Sequence, residues 1–129
     1  MFNVHPFFFI LIISLFSEWG LSILCKSKLW TVDATFSVAP AKYYQLLNIL
    51  TYNHMNSIWL PCLFAFMTSK TQSSYEIICD FILTYAKENA YSLKVSMIIT
   101  DFERGLQNAL ISKFHVKIIG CYFHMVKAL

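Results

Sequence analysis

The sequence predicts an α/β domain built on a mixed β-sheet, with elements in the order β-β-β-α-β-α-β. Two observations predict it. Between residues 29 and 67, three stretches rich in aromatic and β-branched residues follow one another across short turns, as in an antiparallel meander. After residue 68 the apolar period changes from about 2 to about 3.6, and helical and strand patterns alternate. A meander followed by alternating helix and strand makes a sheet with both kinds of pairing and helices on its faces.

A chain of 129 residues suits one domain with a real core. Hydrophobic residues make up 57% and charged residues 13%, against roughly 45–50% and 25% in ordinary soluble domains. Either much of the chain is core, or further protein covers apolar faces. The scarcity of Gly and Pro excludes a disordered or loop-rich scaffold. The net charge of +3 is carried by scattered lysines, and Arg104 is the single arginine. No basic run therefore marks a nucleic-acid binder. Cys25, Cys62, Cys79 and Cys121 are widely spaced in apolar surroundings and read as buried free thiols. A disulfide framework is allowed on count alone.

Residues 6–16 (PFFFILIISLF) are almost wholly apolar. They fit a buried strand or core segment, or a secretory signal or anchor, or a boundary with sequence foreign to the domain. A signal needs an apolar region of about 7–15 residues, but no Lys or Arg precedes this one and no small-x-small site follows. A membrane span needs about 20 residues, and Glu18 interrupts any extension. Residues 17–28 predict a short helix, with Ser17 as cap, Glu18 in the first turn and lysines at the end. Strands follow at about 29–38, 43–52 and 57–67, and Pro61 marks a bulge or an edge in the third. Thr68 to Thr71 offer caps for a helix ending near Asn89, whose apolar stripe is Tyr75, Ile78, Cys79, Ile82 and Ala86. A strand over 94–100 ends in Asp101. A helix with Phe102, Leu106, Ala109 and Leu110 on its apolar face comes next, then a strand over 116–122 and the first turns of another helix. Residues 1–22 thus form an apolar segment and the start of a lead-in helix, and 23–129 form the domain.

That order is the order of the ribonuclease H-like fold, in which the first strand of the meander and the strand ending in Asp101 lie side by side. The first strand carries Asp33 among apolar neighbours, where an unpaired buried carboxylate is costly. Asp101 ends its strand where open α/β sheets place ligands. Two carboxylates in one place resist joint ionisation, and a divalent cation relieves them. Oxygen ligands suit Mg²⁺ or Mn²⁺, and a metal pair of this kind can cleave a phosphodiester. The bland alternatives stay open. Asp101 can be a helix N-cap, Glu103 a residue that complements the helix dipole, and Asp33 a hydrogen-bonded or edge-exposed strand residue. Cys121-x-x-His124 is half of a zinc site without a second pair. His54, in a turn, and His115, before a strand, read as surface residues.

Trp30-Thr31-Val32-Asp33-Ala34-Thr35-Phe36, followed by Pro40 and by Tyr44-Gln45-Leu46, resembles the opening of the Mutator-like element (MULE) transposase domain. Thr100-Asp101-Phe102-Glu103 resembles its second acidic motif, and Gly120-Cys121-Tyr122-Phe123-His124 its G-C-x-F-H segment. The three occur in the family's order. The resemblance implies a cut-and-paste DNA transposase core with a ribonuclease H-like fold, acting on transposon ends in the nucleus. It implies Asp33 and Asp101 as the first two ligands of a catalytic D-D-E triad holding Mg²⁺ or Mn²⁺, Cys121 and His124 as a structural C-x-x-H element, and association into homo-oligomers. The chain departs from the pattern after Glu103, where no Asp or Glu follows, and it carries no separate zinc-dependent DNA-binding module. The expectation is a C-terminally truncated transposase core with two of three acids, unable to cleave DNA alone. A domesticated DNA- or protein-binding module is the alternative. A small membrane-anchored or secreted protein, resting on residues 6–16 only, is another.

Overall fold

The structure is a computed structural model that describes residues 2–7, 10–35 and 45–120, with side chains from residue 16 onward. Strands β1 (Phe2–Phe7) and β2 (Ile10–Phe16) pair antiparallel. Helix α1 (Glu18–Lys26) leads into β3 (Leu29–Thr35), β4 (Gln45–Asn53) and β5 (Ile58–Met67). Then come α2 (Gln72–Glu88), β6 (Met97–Thr100), α3 (Arg104–Phe114) and β7 (Lys117–Gly120). The described residues of the apolar run, 6–7 and 10–16, are strand, and β2 pairs with β5. No described helix is long and apolar enough to cross a membrane.

The sheet has seven strands in the order β1-β2-β5-β4-β3-β6-β7. β3, β4 and β5 form the expected antiparallel meander. β3 and β6 pair in parallel, as do β6 and β7. A bulge falls between Ile49 and Leu50, which face Leu63 and Pro61, so Cys62 is the extra residue. β2 pairs with β5 only from Leu63 onward. Pro61 therefore lies past the end of β2, on a local edge where its missing N–H costs no ladder bond.

Local chemistry sets the helix starts. Ser17 is extended, and its hydroxyl accepts the Gly20 N–H at 2.9 Å. Gly20 lets α1 approach the bulge, since a Cβ there would lie 3.2 Å from the Cys62 carbonyl oxygen. The Thr71 hydroxyl caps α2 through the Ser74 N–H. α3 starts later than the sequence predicts. Its N-cap position is Glu103, not Asp101, and Phe102 lies outside the helix, 52% exposed.

Parallel pairing forces crossovers, and two right-handed crossovers running in one direction put both helices on the same face. α2 and α3 obey this rule, and α1 joins them. The expectation of helices on both faces is corrected, because all three described helices pack on one. The alternation of each strand follows from that. Trp30 and Val32, Leu47 and Ile49, Leu63 and Met67, and Ile98 point into a single core with Leu24, Ile78, Ile82, Leu106 and Leu110. The Trp30 ring meets Phe114 edge-on at 5.1 Å and donates its N–H to the Leu24 carbonyl at 3.0 Å. Leu29, Thr31, Asp33, Asn48, Leu50, Tyr52, Trp59 and Ile99 point the other way, and no described helix covers them.

Leu63→Ala should cost about 2–5 kcal/mol, because Leu63 is fully buried at the junction of α1, β4 and β5. Ser17→Ala should cost about 1 kcal/mol, the value of a cap. Urea titration checks both. Equal losses would contradict this placement of the core.

Candidate functional site

The registered β3–β6 pairs end at Val32 and Thr100. The next residue on each chain is an acid, Asp33 or Asp101. A buried side-chain bond fixes this junction, the Thr100 hydroxyl donating to the Val32 carbonyl at 2.7 Å. The two acids thus sit side by side at the carboxyl end of a parallel strand pair, where an open sheet presents ligand-binding groups.

Asp33 is half-buried, and its apolar sequence neighbours lie on the opposite face of the strand. Alternation thus turns Asp33 away from the core that Trp30 and Val32 enter. Its Oδ1 accepts the Ala34 N–H at 2.9 Å. It faces Asn48 across the ladder, and the two share a groove of about 510 Å³ with Thr31, Leu50, Trp59 and Ile99. Asn48 Oδ1 is buried and has no hydrogen-bond partner. Asp101 is held as a turn residue. Its Oδ1 accepts the Glu103 N–H at 3.0 Å, and its carbonyl accepts from Gln107 Nε2 at 2.7 Å. It shapes the turn before α3 without occupying the cap position itself.

A family model for the MULE transposase domain matches residues 29–128. The chain belongs to that family. No curated protein matches it. The matched span opens on the first residue of β3 and includes both acids. β1, β2 and α1 precede it, and β1 and β2 extend the sheet beyond β5.

Two of the family-like motifs touch in the fold. The Phe102 ring lies over Gly120, where a Cβ would come within 2.4 Å of it. Any side chain at 120 would displace the ring beside Asp101, which gives the motif glycine a physical reason. Cys121 and His124 lie outside the described residues, so the C-x-x-H expectation has no geometry here.

A polar chain that the sequence reading missed braces the MULE domain's second acidic motif. Gln45, fully buried, donates from Nε2 to the Tyr75 hydroxyl at 2.8 Å. That hydroxyl lies 2.9 and 2.8 Å from the two Glu103 carboxylate oxygens, to which it donates. Burial pushes the Tyr75 phenol far above its ordinary value, and the Glu103 charge adds to this, so it stays a donor. Burial also raises Glu103, the Asp101 charge adds to the rise, and the bond from Tyr75 opposes it. Glu103 is thus anchored to α2 and makes no side-chain cap bond. It stands at the N-cap, one position before the first turn where the sequence places it. The one signal in the sequence was Gln45, a polar residue at an inward position of its strand.

The remaining candidates do not join the acids. His54 is exposed in a turn and meets Tyr52 edge-on at 4.8 Å. His115 ends α3 in the left-handed conformation. Cys25, Cys62 and Cys79 are buried free thiols. Burial raises all three, Cys25 to about 11 and Cys79 to about 12, which leaves them poor nucleophiles at neutral pH.

In kind, the donors fit a hard divalent cation. One carboxylate lies on β3 and the other just past the end of β6, and an orphaned amide oxygen lies opposite the first. The set is partial. Among the described residues, no three His, Cys, Asp or Glu side chains form a group that could hold a metal ion.

Glu103 gives a pH signature. A carboxyl raised on folding binds its proton more tightly in the native state, so its contribution is present at low pH and lost as pH rises through its folded value. The stability of the wild type relative to Glu103→Gln should therefore rise as pH falls from neutrality toward the ordinary value of 4.5. Urea midpoints across that range check it, and the opposite slope would contradict the Tyr75–Glu103 placement.

Proposed function

We propose that this chain is the DNA-acting core of a Mutator-like transposase, ribonuclease H-like in architecture, with Asp33 and Asp101 as two ligands of a Mg²⁺ or Mn²⁺ site. The reading is supported by the β3–β6 pairing, whose register ends at Val32 and Thr100, one residue before each acid and within the matched span. A metal bound there would polarise a phosphodiester and lower the pKa of an attacking water. The chain's own part is positioning. The Thr100 hydroxyl holds the strand ends in register, and the Asp101 turn is fastened through Glu103 and Tyr75 to α2. No Asp or Glu follows Glu103 within the 129 residues, so they hold two acids of a triad. In this reading they bind the cation weakly and do not cleave DNA alone, and the protein works in the nucleus on transposon ends.

The second reading is a non-catalytic module that keeps the sheet for contact with DNA or protein. The missing three-donor metal group among the described residues favours it.

Calorimetric titration with Mn²⁺ separates the two. The transposase reading expects weak binding that Asp33→Asn and Asp101→Asn each reduce about ten-fold or more, the lower end of the effect of losing a charge-assisted ligand. Binding unchanged in both variants would overturn the metal assignment. Robust Mn²⁺-dependent nicking of DNA, abolished by Asp33→Asn, would overturn the claim that the 129 residues are incompetent.

A further inference from the structure

A second concavity, of about 400 Å³, lies where α1 ends and β3 begins, lined by Lys26, Ser27, Lys28, Leu29, Tyr52 and His54. Its polar groups are two ammonium groups, an imidazole, a serine hydroxyl and a phenol, with no acid among them. An ion pair joins Lys113 to Asp80, and neither residue lines this pocket. Lys26 is partly held in place, its Nζ 5.6 Å from the centre of the Tyr91 ring. Such a lining is complementary to an anion, and a phosphate is one.

This pocket and the groove that holds Asp33 share no lining residue, but the Tyr52–Trp59 ring contact links their walls. Tyr52 lies on the pocket wall, pairs with Trp59 across the ladder and meets the Trp59 ring at 5.3 Å. His54 packs on the other side of Tyr52. Trp59, 39% exposed, also lines the Asp33 groove. Leu29, in the pocket, and Asp33, in the groove, are four residues apart on one strand and share its face, which spans about 13 Å. Phosphate-holding cations, an exposed aromatic step and a carboxylate therefore follow in a line.

We propose that this face is a track for an unpaired DNA strand, with a phosphate held in the Lys26–Lys28–His54 pocket and a base stacked on Trp59. The inference deepens the reading of the chain as a DNA-acting domain and names the form of DNA its open face takes. Stacking needs an exposed base plane, which a paired duplex does not offer at a flat sheet. Alternating cations and aromatic rings are how single strands are gripped without sequence readout.

The test is fluorescence anisotropy of a labelled oligo-dT in EDTA, across salt. Trp59→Ala should weaken binding about ten-fold, within the usual effect of removing one stacking platform, and Trp59→Phe should restore most of it. Lys26→Gln with Lys28→Gln should lower the slope of log affinity against log salt by roughly 0.7–1.4, one or two single-strand phosphate contacts. All three positions are exposed, and circular dichroism confirms the fold of each variant. Tighter binding to a duplex of equal length, or Trp59→Ala and the lysine pair both without effect, would overturn the proposal. EDTA keeps this test apart from the metal assignment. Mn²⁺ binding is read on the Asp33 and Asp101 variants and strand binding on the Trp59 and lysine variants, so the two readings fail independently.

Discussion

The hydrogen bond from the Thr100 hydroxyl to the Val32 carbonyl closes the parallel pair on which the rest of the fold depends. Parallel strands cannot be joined by a tight turn, so pairing β6 beside β3 requires the long crossover through α2. Pairing β7 beside β6 repeats the requirement through α3. The handedness of both crossovers then decides which face is core. One face becomes the helix-covered interior around Trp30, Val32 and Ile98, and the other stays open around Asp33 and Trp59. The acids are adjacent because this register is what it is. A slip of one residue would turn Asp33 into the core and Val32 out of it.

α2 also serves as a brace. Its inward stripe carries Tyr75, whose ring is core and whose hydroxyl is polar, an arrangement an aromatic alcohol suits when its oxygen finds partners. The partners come from β4 and from the turn after β6, so one hydroxyl ties together three elements remote in sequence. The brace has a cost, since Gln45 Oε1 is buried without a hydrogen-bond partner, and such an atom costs roughly 1–3 kcal/mol. A buried amide with one orphaned oxygen is poor for stability alone. Its position makes sense as the anchor that orients Tyr75 toward Glu103 and so fixes the turn presenting Asp101.

Where the sequence was legible, the information was periodic or local. The meander, the stripe of α2, the Ser17 and Thr71 caps and the Pro61 bulge all follow from spacing and backbone chemistry, and the structure has each of them. The family match rests on motifs readable in the same way. What escaped was set by geometry between distant segments. Asp33 looks buried beside Trp30 and Val32 in sequence, but alternation carries it to the other face. Phe102 fits the helical stripe of α3, yet a two-residue turn between Asp101 and Glu103 leaves it outside, against Gly120. Tyr75 reads as one more apolar residue until its hydroxyl is seen beside Glu103, 28 positions away. The apolar run at residues 6–16 could be strand, signal or anchor because an isolated hydrophobic stretch carries no partner. Its pairing with β5 supplied the one it lacked.

The one-sided packing also accounts for the composition. A sheet covered by helices on both faces hides most of its apolar side chains, whereas this one leaves Leu50, Trp59 and Ile99 around a groove with Thr31, Asp33 and Asn48. The chain is 57% hydrophobic because both faces of its strands are apolar, although described helices cover only one. The groove's apolar area and its few polar groups are one feature: the sheet leaves this face open, and β3 carries both the Trp30 that seals the core and the Asp33 that faces outward.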